Sequence, residues 1–132
     1  MTLSIETTTA DHTDPASKDE AKGPSRGSAV TVKLAGEVDY ATAPQIRTAI
    51  TEALEAGGVS VVHVDVADVT VLDSTGIGTI VVAYRIARDM GVSLAVVNPN
   101  RFITRLFTVV GAEELLAEPT DTFTAKDAAT AN

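Results

Sequence analysis

Eight consecutive residues, Val71-Leu72-Asp73-Ser74-Thr75-Gly76-Ile77-Gly78, bring together a carboxylate, two hydroxyls and two glycines. Such a set suits nucleophilic attack, contact with a phosphate, or acceptance of a phosphoryl group. The same residue types also start helices: Asp73 or Ser74 would accept N–H groups of the first turn, and Gly76 and Gly78 would let the helix lie close on a sheet. Spacing alone leaves both readings open. A serine nucleophile needs a base, and the histidines are His12, in a polar stretch, and His63, in the middle of an expected strand. The flanks lack the G-x-S-x-G elbow and the chain has no G-x-x-x-x-G-K-[ST] loop, which disfavours hydrolase and NTPase chemistry. Asp65, Asp68 and Asp73 hint at a magnesium-dependent phospho-aspartate site, but Lys33 falls on another strand and Lys126 in the tail, so no lysine supports it. With no cysteine, thiol catalysis, disulfides and thiolate zinc sites are all excluded. No metal or cofactor is expected.

These residues must be positioned by one domain, because 132 residues with 45% apolar content build one core and not two. Eighteen acidic against ten basic side chains give a net charge of −8, a field that opposes binding to nucleic acid or to an anionic membrane. No apolar run reaches the roughly 20 residues that cross a bilayer, and the start has no signal-like apolar region, so a soluble cytoplasmic protein is expected.

Leu3 and Ile5 alternate with polar residues, the pattern of a short edge strand, and from Ala10 to Gly27 large apolar side chains almost vanish, as in a flexible polar segment. The ordered domain is expected over residues 28–118. It opens with alternating Val30, Val32 and Leu34, ended by Gly36, and continues into an amphipathic helix after Thr42-Ala43-Pro44, closed by Gly57. Valines on both faces of Val59 to Val66 predict a central strand covered from both sides. A second helix follows Asp73 and runs to Gly91, Val92 to Val97 forms a strand, and Asn98-Pro99-Asn100 starts a third helix with Phe102, Ile103, Leu106, Phe107 and Val110 on one side. Residues 119–132 are weakly patterned, with room for a short helix. Strand and helix alternate, which predicts an α/β fold with right-handed crossovers on a largely parallel sheet, mixed if the first strand forms. On the second helix Ile77, Ile80, Val81 and Tyr84 make the core stripe, whereas Val82 and Ile86 point away from it. Either the third helix or the tail covers them, or they belong to a partner surface that begins at Ser74 and Thr75.

Several motifs in order resemble the anti-sigma factor antagonists (anti-anti-sigma factors), which share the STAS domain. Leu34-Ala35-Gly36-Glu37-Val38-Asp39 is similar to the family's strand ending in Gly-Glu-x-Asp, and Thr42-Ala43-Pro44-Gln45-Ile46-Arg47 to the start of its first helix. Leu72-Asp73-Ser74-Thr75-Gly76-Ile77-Gly78 resembles its phosphorylation motif, and Val96-Val97-Asn98, Arg105-Leu106-Phe107 and Gly111 its later strand and third helix. The resemblance implies a single STAS-type domain with a four- to five-stranded sheet and three to four packed helices. It also implies a non-enzymatic regulator of a sigma factor, as in partner switching and stress responses. In the unphosphorylated form it binds an anti-sigma factor, a serine kinase that carries its own ATP, and so frees the sigma factor. Phosphorylation at Ser74, with Thr75 as the lesser candidate, ends that binding, and a phosphatase restores it. The partner surface expected from it comprises Asp73, Ser74, Thr75, Gly76, Gly78, Val82 and Ile86, joined by the neighbouring loop residues Glu37, Asp39, Tyr40 and Thr42. A monomer is expected. The alternatives from other classes are a STAS scaffold or ligand-sensing module in another signalling complex, and an enzyme that uses Ser74.

Overall fold

The structure, a computed structural model, describes residues 2–11 and 27–117. Of the segment from Ala10 to Gly27 expected to be flexible, Ala10 and Asp11 instead close the first strand, where they pair with the next; residues 12–26, like the weakly patterned tail over 119–132, lie outside the described residues. The elements run β1 (Leu3–Asp11), β2 (Ser28–Val38), α1 (Ala43–Leu54), β3 (Val59–Leu72), α2 (Ser74–Asp89), β4 (Ser93–Val97) and α3 (Arg101–Val109), followed by a 3₁₀ turn over Glu113–Leu115. They form one α/β domain.

The sheet has the order β1-β2-β3-β4; β1 pairs antiparallel with β2, and the other pairs are parallel. It is the mixed, largely parallel sheet expected from the sequence. Each parallel crossover moves one strand further in the same direction, so right-handed connections place their helices on a single face. Burial agrees: Val62, Val64 and Val66 are sealed beneath the helices, whereas His63 and Asp65 on the opposite face of β3 are only half-buried. The expectation that β3 is covered from both sides is therefore corrected. Its second face stays open because no connection crosses there among the described residues. Lys33 and Asp68 pair on this strand pair at 3.3 Å, and the carboxylate beside it raises the ammonium above its ordinary pKa. Both side chains are solvent-exposed, so the pair adds little to stability.

Two boundaries also differ from the sequence reading. Gly36 does not end β2: it stays in the strand at φ 114, and a side chain there would collide with the Thr2 carbonyl. The strand continues to Val38. β3 has 14 residues against 11 in β2, and three register shifts absorb the difference, which breaks the clean alternation after Val66.

The core is one cluster in which Leu34, Ile46, Ile50, Ile80, Ile103, Phe107 and Leu115 are fully buried. Leu116 pairs in parallel with Val96, and the Ala117 N–H donates to the Val96 carbonyl at 2.9 Å, which returns the chain to the edge of β4. On α3 only Ile103 and Phe107 are buried and Leu106 partly; Phe102 and Val110, expected on the same apolar side, are more than half exposed. The 3.6-residue period explains this, since α3 is only nine residues long and Phe102 and Val110 lie at the margins of a stripe centred on Ile103 and Phe107.

Candidate functional site

The carboxyl ends of the parallel strands and the starts of α1 and α2 meet at one end of the sheet. The Val38 carbonyl, at the end of β2, accepts the Asp73 N–H at 3.1 Å and so ties the two strand ends together. Val38 also explains Gly76. A Cβ at position 76 would stand 2.6 Å from Val38 Cγ1 and 2.7 Å from the Val38 carbonyl oxygen, so only glycine permits α2 to start against β2. Gly78 behaves differently: nothing lies within 4 Å of where its Cβ would be, and it is exposed. The expectation that both glycines let the helix pack closely therefore holds for Gly76 and fails for Gly78, which is two residues on and about 200° around the helix.

The geometry decides which residue caps α2. Asp73 is the cap: one of its carboxylate oxygens accepts the Gly76 N–H at 2.8 Å, and the other accepts the Tyr40 N–H at 3.3 Å. The same side chain thus caps the helix and tethers the β2–α1 loop. Within that loop, Asp39 accepts the N–H groups of Ala41 and Thr42 at 3.0 and 3.1 Å. The buried Thr42 hydroxyl donates to the Glu37 carbonyl at 2.9 Å and accepts the Asp39 N–H at 3.0 Å. A buried hydroxyl satisfied in both directions fixes the loop's path. Glu37, Asp39, Tyr40 and Thr42 are therefore brought beside Asp73–Gly76, as the sequence suggested.

Because Asp73 does the capping, Ser74 does not need to. Ser74 and Thr75 are exposed, and neither side chain makes a hydrogen bond among the described residues. Ser74 is the first residue of a 16-residue helix, where partly free backbone N–H groups and the helix dipole moderate added negative charge, while the Asp73 carboxylate opposes it. His63 faces the open side of the sheet, away from the helices, so among the described residues no imidazole attends Ser74. The Ser74 hydroxyl is accessible, and among the described residues no base is placed to activate it. Asp65 bonds the Ala67 N–H and Asp68 pairs with Lys33, and among the described residues no group of three metal-ligating side chains forms.

From Ser74 the outward side of α2 runs through Gly78, Val82 and Ile86. Val82 and Ile86 are 51% and 44% exposed, so neither α3 nor any other described element covers them. Two grooves flank this ridge. One, of about 340 Å³, lies between α1 and α2 and is bordered by Arg47, Ile50, Thr75, Gly78, Val82 and Ile86. The other, of about 350 Å³, lies between α2 and the turn after α3 and is bordered by Ser74, Gly78, Val82, Arg85, Val110 and Leu115. Sequence reasoning missed Arg47, Thr79, Arg85 and Val110 as surface partners of the Ser74 turn. Arg47 was within reach of a helical count, since Arg47, Ile50, Thr51 and Leu54 share one stripe of α1. Val110 was not, because only the turn of the chain after α3 brings it near α2.

A family model, the STAS domain, matches residues 21–129. The chain is similar to the anti-sigma-B factor antagonist of Bacillus subtilis, 30% identical over 87 residues, which are 66% of this chain and 78% of that relative. Among solved structures it is similar to the anti-sigma factor antagonist SpoIIAA in its unphosphorylated form, with a TM-score of 0.60 at 22% identity over 76% of this chain and 89% of the other. SpoIIAA has also been solved in a phosphorylated form, which matches with a TM-score of 0.56. An anti-sigma factor antagonist from Mycobacterium paratuberculosis matches with a TM-score of 0.63 at 22% identity, over 92% of this chain and 93% of the other. With the family model spanning β2 to the end of the fold and the same topology beneath it, the chain belongs to the STAS domain family of anti-sigma factor antagonists.

Proposed function

We propose that this protein, in its unphosphorylated form, binds an anti-sigma factor that is a serine kinase, and thereby frees a sigma factor for transcription. Transfer of phosphate from the kinase's ATP to Ser74 then ends the complex, and a phosphatase resets the switch. The observation that carries this reading is the division of labour at the start of α2: Asp73 takes the cap, and the Ser74 hydroxyl remains exposed and unbonded. Thr75 is the second acceptor in reach. A phosphate adds about −1.5 to −2 charges beside Asp73, at the head of the outward ridge of Gly78, Val82 and Ile86. A partner seated on that ridge meets like charge and must leave the phosphate desolvated. A hundredfold loss of affinity needs only about 2.7 kcal/mol, within what one misplaced phosphate supplies.

The net charge of −8 is consistent with a cytoplasmic regulator that acts on a protein and not on DNA or membranes, and with a monomer that pairs with its kinase. The ATP and magnesium belong to that partner, so this chain requires no cofactor of its own and performs no turnover. Incubation with the cognate kinase and labelled ATP tests the proposal. Label should enter the wild type and be lost in Ser74→Ala; label undiminished in Ser74→Ala would refute the assignment.

A further inference from the structure

Gly78 is the residue of α2 whose type its own chain does not explain. Gly76 is required by Val38, but at Gly78 a methyl group would meet open space, and a glycine inside a helix weakens it relative to alanine. The missing side chain has no beneficiary among the described residues. It is also the place where the two grooves touch, since Gly78 and Val82 border both of them. At this point the surface of α2 is at its lowest, with a depression on either side. Such a profile admits the main chain of another molecule, not only its side-chain tips.

The approaching element can be specified. The backbone groups in the middle of α2 are already bonded within the helix and offer no ladder to an incoming strand, whose own N–H and C=O groups would be stranded against it. A helix satisfies its own backbone and can press directly on α2, and small residues at such crossings bring helix axes together. The first groove carries Arg47 and no acidic side chain at its edge, whereas the second sets Glu114 beside Arg85. In a chain that is acidic overall, the local cation of the first groove favours a carboxylate on the visiting surface.

We propose that a helix of the anti-sigma factor partner crosses α2 over Gly78, main chain against main chain, with an apolar side chain entering each groove and an acidic side chain opposite Arg47. The inference rests on the Ser74 reading above and deepens it. Ser74 borders one groove and Thr75 the other, so a phosphate at this turn stands at the mouth of the cleft that the visiting helix must fill.

The test pairs stability with affinity, using the kinase that labels Ser74, saturated with ADP and magnesium, as the probe. Gly78→Ala should raise the melting temperature by about 4 °C or more, because it gains helix propensity and meets no clash. The same variant should weaken kinase binding about tenfold or more, and Gly78→Met, folded equally well, should weaken it further. Amide exchange in the complex should slow in α2 and in one helix of the kinase. If Gly78→Ala binds as tightly as the wild type while Ser74→Asp binds weakly, the crossing is refuted and the Ser74 reading stands. If neither variant alters binding, both are refuted. A lower melting temperature for Gly78→Ala would show that the glycine serves its own fold, which also overturns the proposal.

Discussion

Replacing Gly76 by alanine tests how the site is held. The new Cβ would lie 2.6 Å from Val38 Cγ1 and 2.7 Å from the Val38 carbonyl oxygen, about 0.7 Å inside ordinary contact. Rotating the valine relieves only the first clash. The carbonyl belongs to the end of β2 and also accepts the Asp73 N–H at 3.1 Å, so relief requires the start of α2 to withdraw and that bond to lengthen. Because one clash is with main chain, the overpacking cost falls in the upper part of the usual range, about 2–3 kcal/mol, and alanine returns about 1 kcal/mol of helix propensity. The net loss is expected near 1–2 kcal/mol, or a melting temperature lower by about 5–10 °C for a domain of this size. Urea unfolding followed by circular dichroism reads the difference directly, with an unchanged slope showing that the two native states are equally compact. A Gly76→Ala protein as stable as the wild type would refute the claim that α2 starts in contact with Val38. The opposite sign expected at Gly78, two residues away, makes the pair more informative than either variant alone.

Asp73→Ala removes the α2 cap and the tether to Tyr40, so it should lower stability by about 1–2 kcal/mol in the same assay, with Asp73→Asn recovering most of the loss; full stability in Asp73→Ala would deny the capping role. Val82→Glu and Ile86→Glu should leave the melting temperature within a few degrees of the wild type, because both side chains are about half exposed, yet impair kinase binding. Cooperative unfolding lost in either variant would place these residues in the core instead.

What the sequence disclosed, and what it hid, follows from the range of each interaction. The alternation of Val30, Val32 and Leu34 and the run Val62, Val64, Val66 report a buried face residue by residue, so the strands were legible. Asp73, Ser74 and Thr75 were singled out by type and position, but which of them caps the helix depends on atoms that the spacing does not fix. Gly36 looks like a terminator because glycine ends strands as readily as it holds a positive φ within them; the contact with Thr2 that decides the matter comes from the residue before β1. The valines at 59 and 61 suggested a second covered face, yet crossover direction decides where helices lie, and that is a property of the whole sheet. Arg85 and Val110, 25 positions apart, meet across a groove that only the finished fold creates.

The most direct measurement is the affinity of the anti-sigma factor kinase for two forms of this protein, unmodified and carrying phosphate on Ser74, by titration calorimetry with ADP and magnesium present. The unmodified form should bind at least about 100-fold more tightly, a difference of about 2.7 kcal/mol. Equal affinities would contradict a phosphate switch at the start of α2.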